Sequence, residues 1–238
     1  TCAECRHPIL RFRGIGTEKV ESEVARLFPH ARIGRLDADS TRRKGAHEQI
    51  VHQFRNRETD ILIGTQMIAK GFDFKHVTLV GIISADTSLL LPDFRSSERT
   101  FQLLTQMAGR TGRGKEPGTV LIQTYSPTHY AIQFASQHNY AGFFSEEIER
   151  RRSLSYPPFT KLINMIFRGK KEEEVKKQSL EFSQLLQLSG SDSNVKLIGP
   201  SPLPLYRLRG HYRWHLMLLG PNMDSLREFL RQGINGFK

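Results

Sequence analysis

The stretch QMAGRTGRGKEPG, Gln106–Gly118, admits two readings, and they imply different folds. From Gly109 it spells G-R-T-G-R-G-K-E, one residue short of a phosphate-binding loop, which needs Ser or Thr after the Lys. From Gln106 it spells Q-x-x-G-R-x-G-R. A phosphate loop follows a buried strand and opens a helix, so that backbone N–H groups ring the phosphates and the hydroxyl meets Mg²⁺. Here a helical pattern precedes the segment and a strand pattern follows it. Glu116 occupies the hydroxyl position, and Pro117 and Gly118 block helix initiation. The first reading fails on all three counts. The second fits, with Gln106 ending a predicted helix and Arg110 and Arg113 on a Gly-rich turn where Gly109 and Gly112 let the backbone come close. Two guanidiniums so spaced can share one triphosphate, since their planar forks match phosphate oxygens and stay charged. The bland alternative is a solvated basic turn.

Working outward, strand and helix patterns alternate. ILRFRGIGT (residues 9–17) reads as a short strand, and Thr17 as the cap of a helix through Phe28 with Val20, Val24, Leu27 and Phe28 on one face. ARIGRLDAD (31–39) is a strand, Gly45–Asn56 a helix, and DILIGT (60–65) a short apolar strand of the buried parallel kind. HVTLVGIISAD (76–86), a helix over RSSERTFQLLTQMAG (95–109) and TVLIQTY (119–125) continue the alternation. The fold class expected is α/β, a doubly wound parallel sheet. From about Tyr140 the texture changes to a polar helix, a strand (161–169), a charged helix (171–186), a Pro-rich strand region (195–210), a strand (212–220) and a helix near 224–232. This predicts a second, smaller α+β domain. Ser155–Phe159, SYPPF, reads as a rigid hinge between the two.

The chain has 238 residues, with 35 Lys plus Arg against 24 acidic residues and a formal charge of +11. That balance favours a polyanionic partner, most often nucleic acid. Apolar runs such as VTLVGII are too short to cross a bilayer, and no signal peptide is evident. The two cysteines, Cys2 and Cys5, form a single C-x-x-C rather than a disulfide framework, which suits a reducing cytoplasm.

GTQMIAKGFDF (64–74), directly after a strand, and Gln106–Arg113 resemble motifs V and VI of superfamily 2 helicases. ILIGTQMIAKGFDF, LVGIISADTSLLLPDFRSSERTFQLLTQMAGRTGRG, RRSLSYPPF and IGPSPLPLYRLRGHYRWHLML together resemble the PriA (primosomal protein N′) family of replication-restart helicases over essentially the whole chain. The last two segments lie outside generic helicase motifs. The resemblance implies an ATP-driven 3′→5′ DNA helicase acting on branched DNA. It implies residues 1–13 as the end of a zinc-binding insertion, 14–137 as a RecA-like second motor lobe, and 138–238 as a C-terminal domain. By motif, Gln106, Arg110 and Arg113 would face the ATP γ-phosphate across an interlobe cleft, with Arg113 as arginine finger. Gly71 and Asp73 would sit near the nucleotide and couple it to DNA. Thr65 would touch the strand backbone, with Gln66 and Lys70 nearby. DADSTRR (37–43) would be the motif IV region, with Thr41 a candidate phosphate contact; Arg42 and Arg43 read as solvated cations or DNA contacts. Asp86 is expected to support its loop rather than bind metal.

The first motor lobe, with its phosphate loop and acidic Mg²⁺ motif, does not occur in the sequence, so these residues alone are expected not to hydrolyse ATP. Cys2 and Cys5 would be half of a zinc site whose partners lie upstream, since structural zinc wants four ligands; in the isolated chain two reduced thiols are the alternative. YRLRGHYRWH (206–215) brings Arg207, Arg209 and Arg213 close to Tyr206, Tyr212 and Trp214. That mixture suits single strands, with charge along the backbone and rings on bases. The alternative is a strand with one core-facing aromatic row and solvated arginines. The resemblance further implies partners: single-stranded and forked DNA, the acidic tail of single-stranded-DNA-binding protein, and primosome and helicase-loading proteins. Arg227 and Arg231 are candidates for an acidic peptide. Localisation would be bacterial, cytoplasmic and nucleoid-associated. A DNA- and protein-docking module without catalysis is the competing reading, and a non-PriA superfamily 2 helicase a third.

Overall fold

The computed structural model describes residues 16–37, 40–41, 45–65, 68, 74–112, 117–189 and 194–236. Its described residues group into two units: those up to Leu89 with Arg99–His138, and Leu90–Glu98 with those from Asn139 onward. The expected strand at 9–17 lies outside the described residues but for its end.

The first unit runs α1 (Thr17–Leu27), β1 (Ile33–Leu36), α2 (Ala46–Arg55), β2 (Ile61–Gly64), β3 (Leu79–Ile82), α3 (Asp86–Leu89), α4 (Ser96–Ala108, most of its length), β4 (Thr119–Ile122) and α5 (Tyr130–Ser136). The strands pair in parallel, β1 with β2 and β3 with β4. Among the described residues they form two two-stranded sheets, so the doubly wound class appears as two short parallel pairs. Leu36, Val51 and Phe74 form a core to which Ile50, Phe54, Leu62, Ile68 and Val77 add. Phe54 meets Phe74 edge-on, with centroids 4.8 Å apart, the geometry aromatic quadrupoles favour. Ile50, Val51 and Phe54 on one face of α2 are what the 3.6-residue period provides.

Two local expectations change, and one helix the sequence did not suggest is present. Gly16, not Thr17, is the cap of α1; the Thr17 hydroxyl instead donates to Asp37 Oδ2 at 2.5 Å. Residues 130–136 form α5, which is capped by the side chain of His129 and buries Ala131, Ile132 and Ala135. Only three buried positions over seven residues give too short a period to recognise in sequence. The SYPPF turn belongs to the second unit. Tyr156 stacks on Phe94 there, with centroids 5.3 Å apart and planes at 11°, so the turn is a packed element rather than a hinge.

The second unit runs α6 (Tyr140–Ser153), β5 (Lys161–Gly169), α7 (Glu172–Ser189), β6 (Lys196–Leu208), β7 (His211–Gly220) and α8 (Met223–Gly236). Its three strands are antiparallel in the order β5-β7-β6. Phe182 and Leu186 of α7, Leu216 and Leu218 of β7, and Leu226 and Phe229 of α8 form the core. Leu216 and Leu218 are two apart, so they face one side of the sheet and draw both helices to it. β6 and β7 join through Arg209 and Gly210, both at positive φ (49° and 77°), the backbone a tight two-residue hairpin requires.

Candidate functional site

At the carboxyl ends of β1 and β2 the chain leaves both strands together, Leu36 being paired with Gly64. This is where parallel sheets present binding loops. Thr65 follows at once and is exposed, in a turn in which Ile68 N–H donates to its carbonyl at 3.1 Å. Gly64 is obligatory: a Cβ there would lie 2.3 Å from the Leu36 carbonyl oxygen and 2.5 Å from Ile68 Cδ1. Opposite it, Asp37 is buried and accepts from the Thr17 hydroxyl and from Ser40 N–H at 2.7 Å. Those bonds, more than the Arg35 guanidinium 3.0 Å away, hold its carboxyl down to about 2. Thr41 closes the same turn, its hydroxyl donating to the Asp37 carbonyl at 2.6 Å. A phosphate oxygen only accepts, so Thr41 must break that bond before it can donate to one.

The Q-x-x-G-R-x-G-R segment sits elsewhere in the unit. Gln106 lies on the last turns of α4 and is exposed, while Arg110 is half-buried just beyond it. Arg110 N–H donates to Met107 O at 3.0 Å and Thr111 N–H to Ala108 O at 3.3 Å, so the helix winds down through two tight turns. Gly112, at φ 69°, then donates to Val77 O at 3.4 Å. Val77 leads into β3 and Gly118 into β4, so this segment stands at the amino ends of that pair. Gly112 is required by its backbone angle. Gly109 is not: a Cβ there would meet only Thr105 O and Gln106 O at ordinary distances of 3.6 and 3.7 Å. Its missing side chain leaves the surface open beside Gln106 and Arg110. Thr41 and Thr65 are thus brought together on one pair's carboxyl ends, and Gln106 and Arg110 on the other pair's amino ends. Gln66, Lys70, Gly71, Asp73, Arg113, Cys2 and Cys5 lie outside the described residues.

Asp86, at the carboxyl end of β3, is buried and accepts from Thr124 Oγ1 and Tyr125 N, both at 3.0 Å. Burial works to raise its pKa, but these donors, together with its own backbone N–H and the Ser126 side chain, outweigh it and hold it below the usual range. It fastens the chain after β4 to the start of α3, as expected of a loop support. Among the described residues no group of three or more His, Cys, Asp or Glu is placed to hold a metal ion.

In the second unit the basic and aromatic residues separate by strand alternation. Tyr212 and Trp214 lie on the side of Leu216 and Leu218, and Lys176 of α7 stands 6.0 Å from the Trp214 centroid. Both rings are half-buried, so Trp214 belongs to the core-facing row. Arg213 falls on the other side of the sheet, directly opposite Arg168. Tyr206 remains exposed at 50%. Arg207 is exposed, with its guanidinium 5.0 Å from the Tyr212 centroid. Arg209 is exposed in the hairpin turn. Arg227 and Arg231 line, with Phe229 and Gln232, a depression along α8; they pair at 3.4 and 3.7 Å with Asp224 and Glu228 of the same helix.

Residues 16–115 match the helicase conserved C-terminal domain, and residues 152–236 match the primosomal protein N C-terminal domain. The chain belongs to the PriA family. It is similar to replication restart protein PriA of Bacillus subtilis, at 43% identity over 100% of this chain and 29% of the relative. The Synechocystis PriA is 45% identical over 93% of this chain and 26% of its own length. The Borreliella burgdorferi PriA is 37% identical over 97% and 34%. The chain therefore spans about a third or less of these PriA relatives. No helix among the described residues is long and apolar enough to cross a membrane.

Proposed function

We propose that the chain is the second motor lobe and C-terminal domain of an ATP-dependent 3′→5′ DNA helicase that acts in replication restart and primosome assembly at branched DNA. The observation that carries this reading is the ending of α4. Exposed Gln106 and the Arg110 turn flank Gly109, a glycine the chain's own packing does not demand, which suits close approach by a phosphate group. ATP with Mg²⁺, held mainly by the preceding lobe, supplies the phosphoryl group whose transfer drives translocation. Arg110 and Arg113 offer fixed positive charge to its γ-phosphate, and Gln106 offers a side-chain amide beside them. Gly71 and Asp73 are read as residues that couple the nucleotide to DNA. Thr65 meets the DNA backbone at the carboxyl ends of β1 and β2, and Thr41 joins it once its hydroxyl turns from Asp37; Gln66 and Lys70 are read as further strand contacts. One lobe thus carries nucleotide contacts and strand contacts on different strand pairs, which is what coupling hydrolysis to movement needs. Cys2 and Cys5 provide two thiolates of a zinc site in the full-length protein.

In the second unit, Arg168 facing Arg213 supports a polyanion-binding role. Like charges directly across a strand pair are destabilising, and a phosphate backbone relieves them. Arg207 stands on the other face, over its cross-strand partner Tyr212, and with Arg209 of the hairpin turn and exposed Tyr206 suits single-stranded or forked DNA at that end of the sheet. The α8 arginines suit the acidic tail of single-stranded-DNA-binding protein. Domain limits are read as 1–13, 14–137 and 138–238, in a bacterial cytoplasmic, nucleoid-associated protein that also meets helicase-loading proteins.

The test is Arg113→Ala in a full-length PriA protein carrying this sequence. ATP turnover falls roughly 10³-fold or more, as for other arginine fingers, while DNA binding persists. Steady-state hydrolysis near wild type sinks the assignment.

A further inference from the structure

Arg168 of β5 and Arg213 of β7 stand opposite one another on the face of the second unit's sheet away from Leu216 and Leu218. Among the described residues neither has a carboxylate within ion-pair distance. Elsewhere in the unit, Arg150, Arg152, Arg227 and Arg231 each pair with a carboxylate of their own helix. Arg213 donates from Nη1 to the Leu205 carbonyl at 3.5 Å, which leaves most of its five N–H groups for another acceptor.

His211 joins this pair. It lies two residues before Arg213 in β7, so it shares that face, and its Nδ1 is 3.4 Å from Arg168 Nη2. The groups around it are Arg168 from β5, Arg213 from β7, its apolar cross-strand partner Leu208 from β6, and Arg209 of the turn. His215, further along the same face, is buried, with its Nδ1 3.2 Å from Asn164 Oδ1. His211 Nδ1 also lies 3.0 Å from the Arg209 carbonyl oxygen. A carbonyl only accepts, so Nδ1 carries the ring hydrogen in that contact. A guanidinium only donates, so Arg168 Nη2 then faces an N–H and finds no acceptor there. A phosphate oxygen would supply one. The other ring nitrogen, Nε2, bears a lone pair while the imidazole is neutral, and a phosphate oxygen has no hydrogen to give it. Protonation turns Nε2 into a third donor and makes the ring a cation.

We infer that Arg168, Arg213 and His211 form one site for a backbone phosphate of single-stranded DNA, and that His211 makes its affinity depend on protons. This rests on reading the Arg168–Arg213 pair as a polyanion surface. The bound strand draws a proton from solvent onto His211, so affinity rises as pH falls through the range in which imidazoles titrate.

The experiment measures binding of a fluorescent oligothymidylate to the purified chain by anisotropy, across pH and across salt. The proteins are wild type, His211→Gln, His215→Gln, Arg168→Ala and Arg213→Ala, each checked for folding by circular dichroism. Wild type should bind about tenfold tighter at about pH 6 than at about pH 8, the size a hydrogen bond to a charged group can contribute. His211→Gln should lose that dependence and His215→Gln should keep it. Wild-type affinity that ignores pH overturns the inference, as does a His211→Gln profile like wild type. If His215→Gln does not fold, His211→Gln decides alone. Arg168→Ala and Arg213→Ala should each weaken binding and lower the salt slope by about 1. If both leave affinity and slope unchanged, the polyanion reading of this face fails. If both weaken binding while His211→Gln keeps its pH dependence, only the role of His211 fails.

Discussion

Replacing Gly64 by Ala tests how tightly β1 and β2 are drawn together beneath Thr65. The new Cβ would meet Ile68 Cδ1 at 2.5 Å and Ile68 Cγ1 at 2.8 Å, which a side-chain rotation can relieve. It would also meet the Leu36 carbonyl oxygen at 2.3 Å, and backbone cannot rotate away. Close C···O contacts in sheets run at about 3.3–3.6 Å, so the strands must separate by about 1 Å at their last paired residues. Overpacking alone costs about 1–3 kcal/mol, and each ladder hydrogen bond weakened adds about 1 kcal/mol. The expected destabilisation of the first unit is therefore about 2–4 kcal/mol. Urea unfolding of the purified chain, followed by circular dichroism, measures it as a lower midpoint. In the full-length protein the same substitution displaces Thr65 and should weaken DNA-stimulated ATP turnover. A change below about 0.5 kcal/mol, the range of ordinary surface substitutions, would refute the close approach.

Other outcomes can be checked alongside it. Asp37 titrates at about 2 in the fold, below its ordinary value of about 3.9. Its contribution, about 2 kcal/mol, is fully present above about pH 4 and is lost as pH falls toward 2. Acid unfolding of Asp37→Asn should lack that loss. Leu216 is fully buried between α7 and α8, and Leu216→Ala should destabilise the second unit by about 2–5 kcal/mol in chemical denaturation. Single-stranded DNA binding should weaken linearly in log–log with salt. Arg207→Ala and Arg213→Ala should each lower that slope by about 1 in fluorescence titrations, and an unchanged slope removes those residues from the interface.

The sequence was most legible where a motif carries its own geometry. Rejecting a phosphate loop at Gln106–Gly118 needed only the order helix, turn, strand and the carboxylate at Glu116. Ile50, Val51 and Phe54 marked α2 by their spacing, and the apolar run of β7 marked a strand, though not that both of its faces are buried. Short elements were less legible. Seven residues of α5 are too few for a period, and Thr17 has the chemistry of a cap although its hydroxyl goes to Asp37, twenty positions away.

What the sequence determined by itself is the family and the residue types suited to phosphate, because a guanidinium keeps its charge and its fork wherever the chain places it. The tertiary structure decided where those residues stand. It set Thr65 and Thr41 on the carboxyl ends of one parallel pair and the Arg110 turn on the amino ends of another. It turned Trp214 toward the core and Arg213 away from it. Each of these depends on strand register, burial or a contact between distant positions. A local pattern specifies which residues share a face, but only the packing of distant segments determines what that face meets.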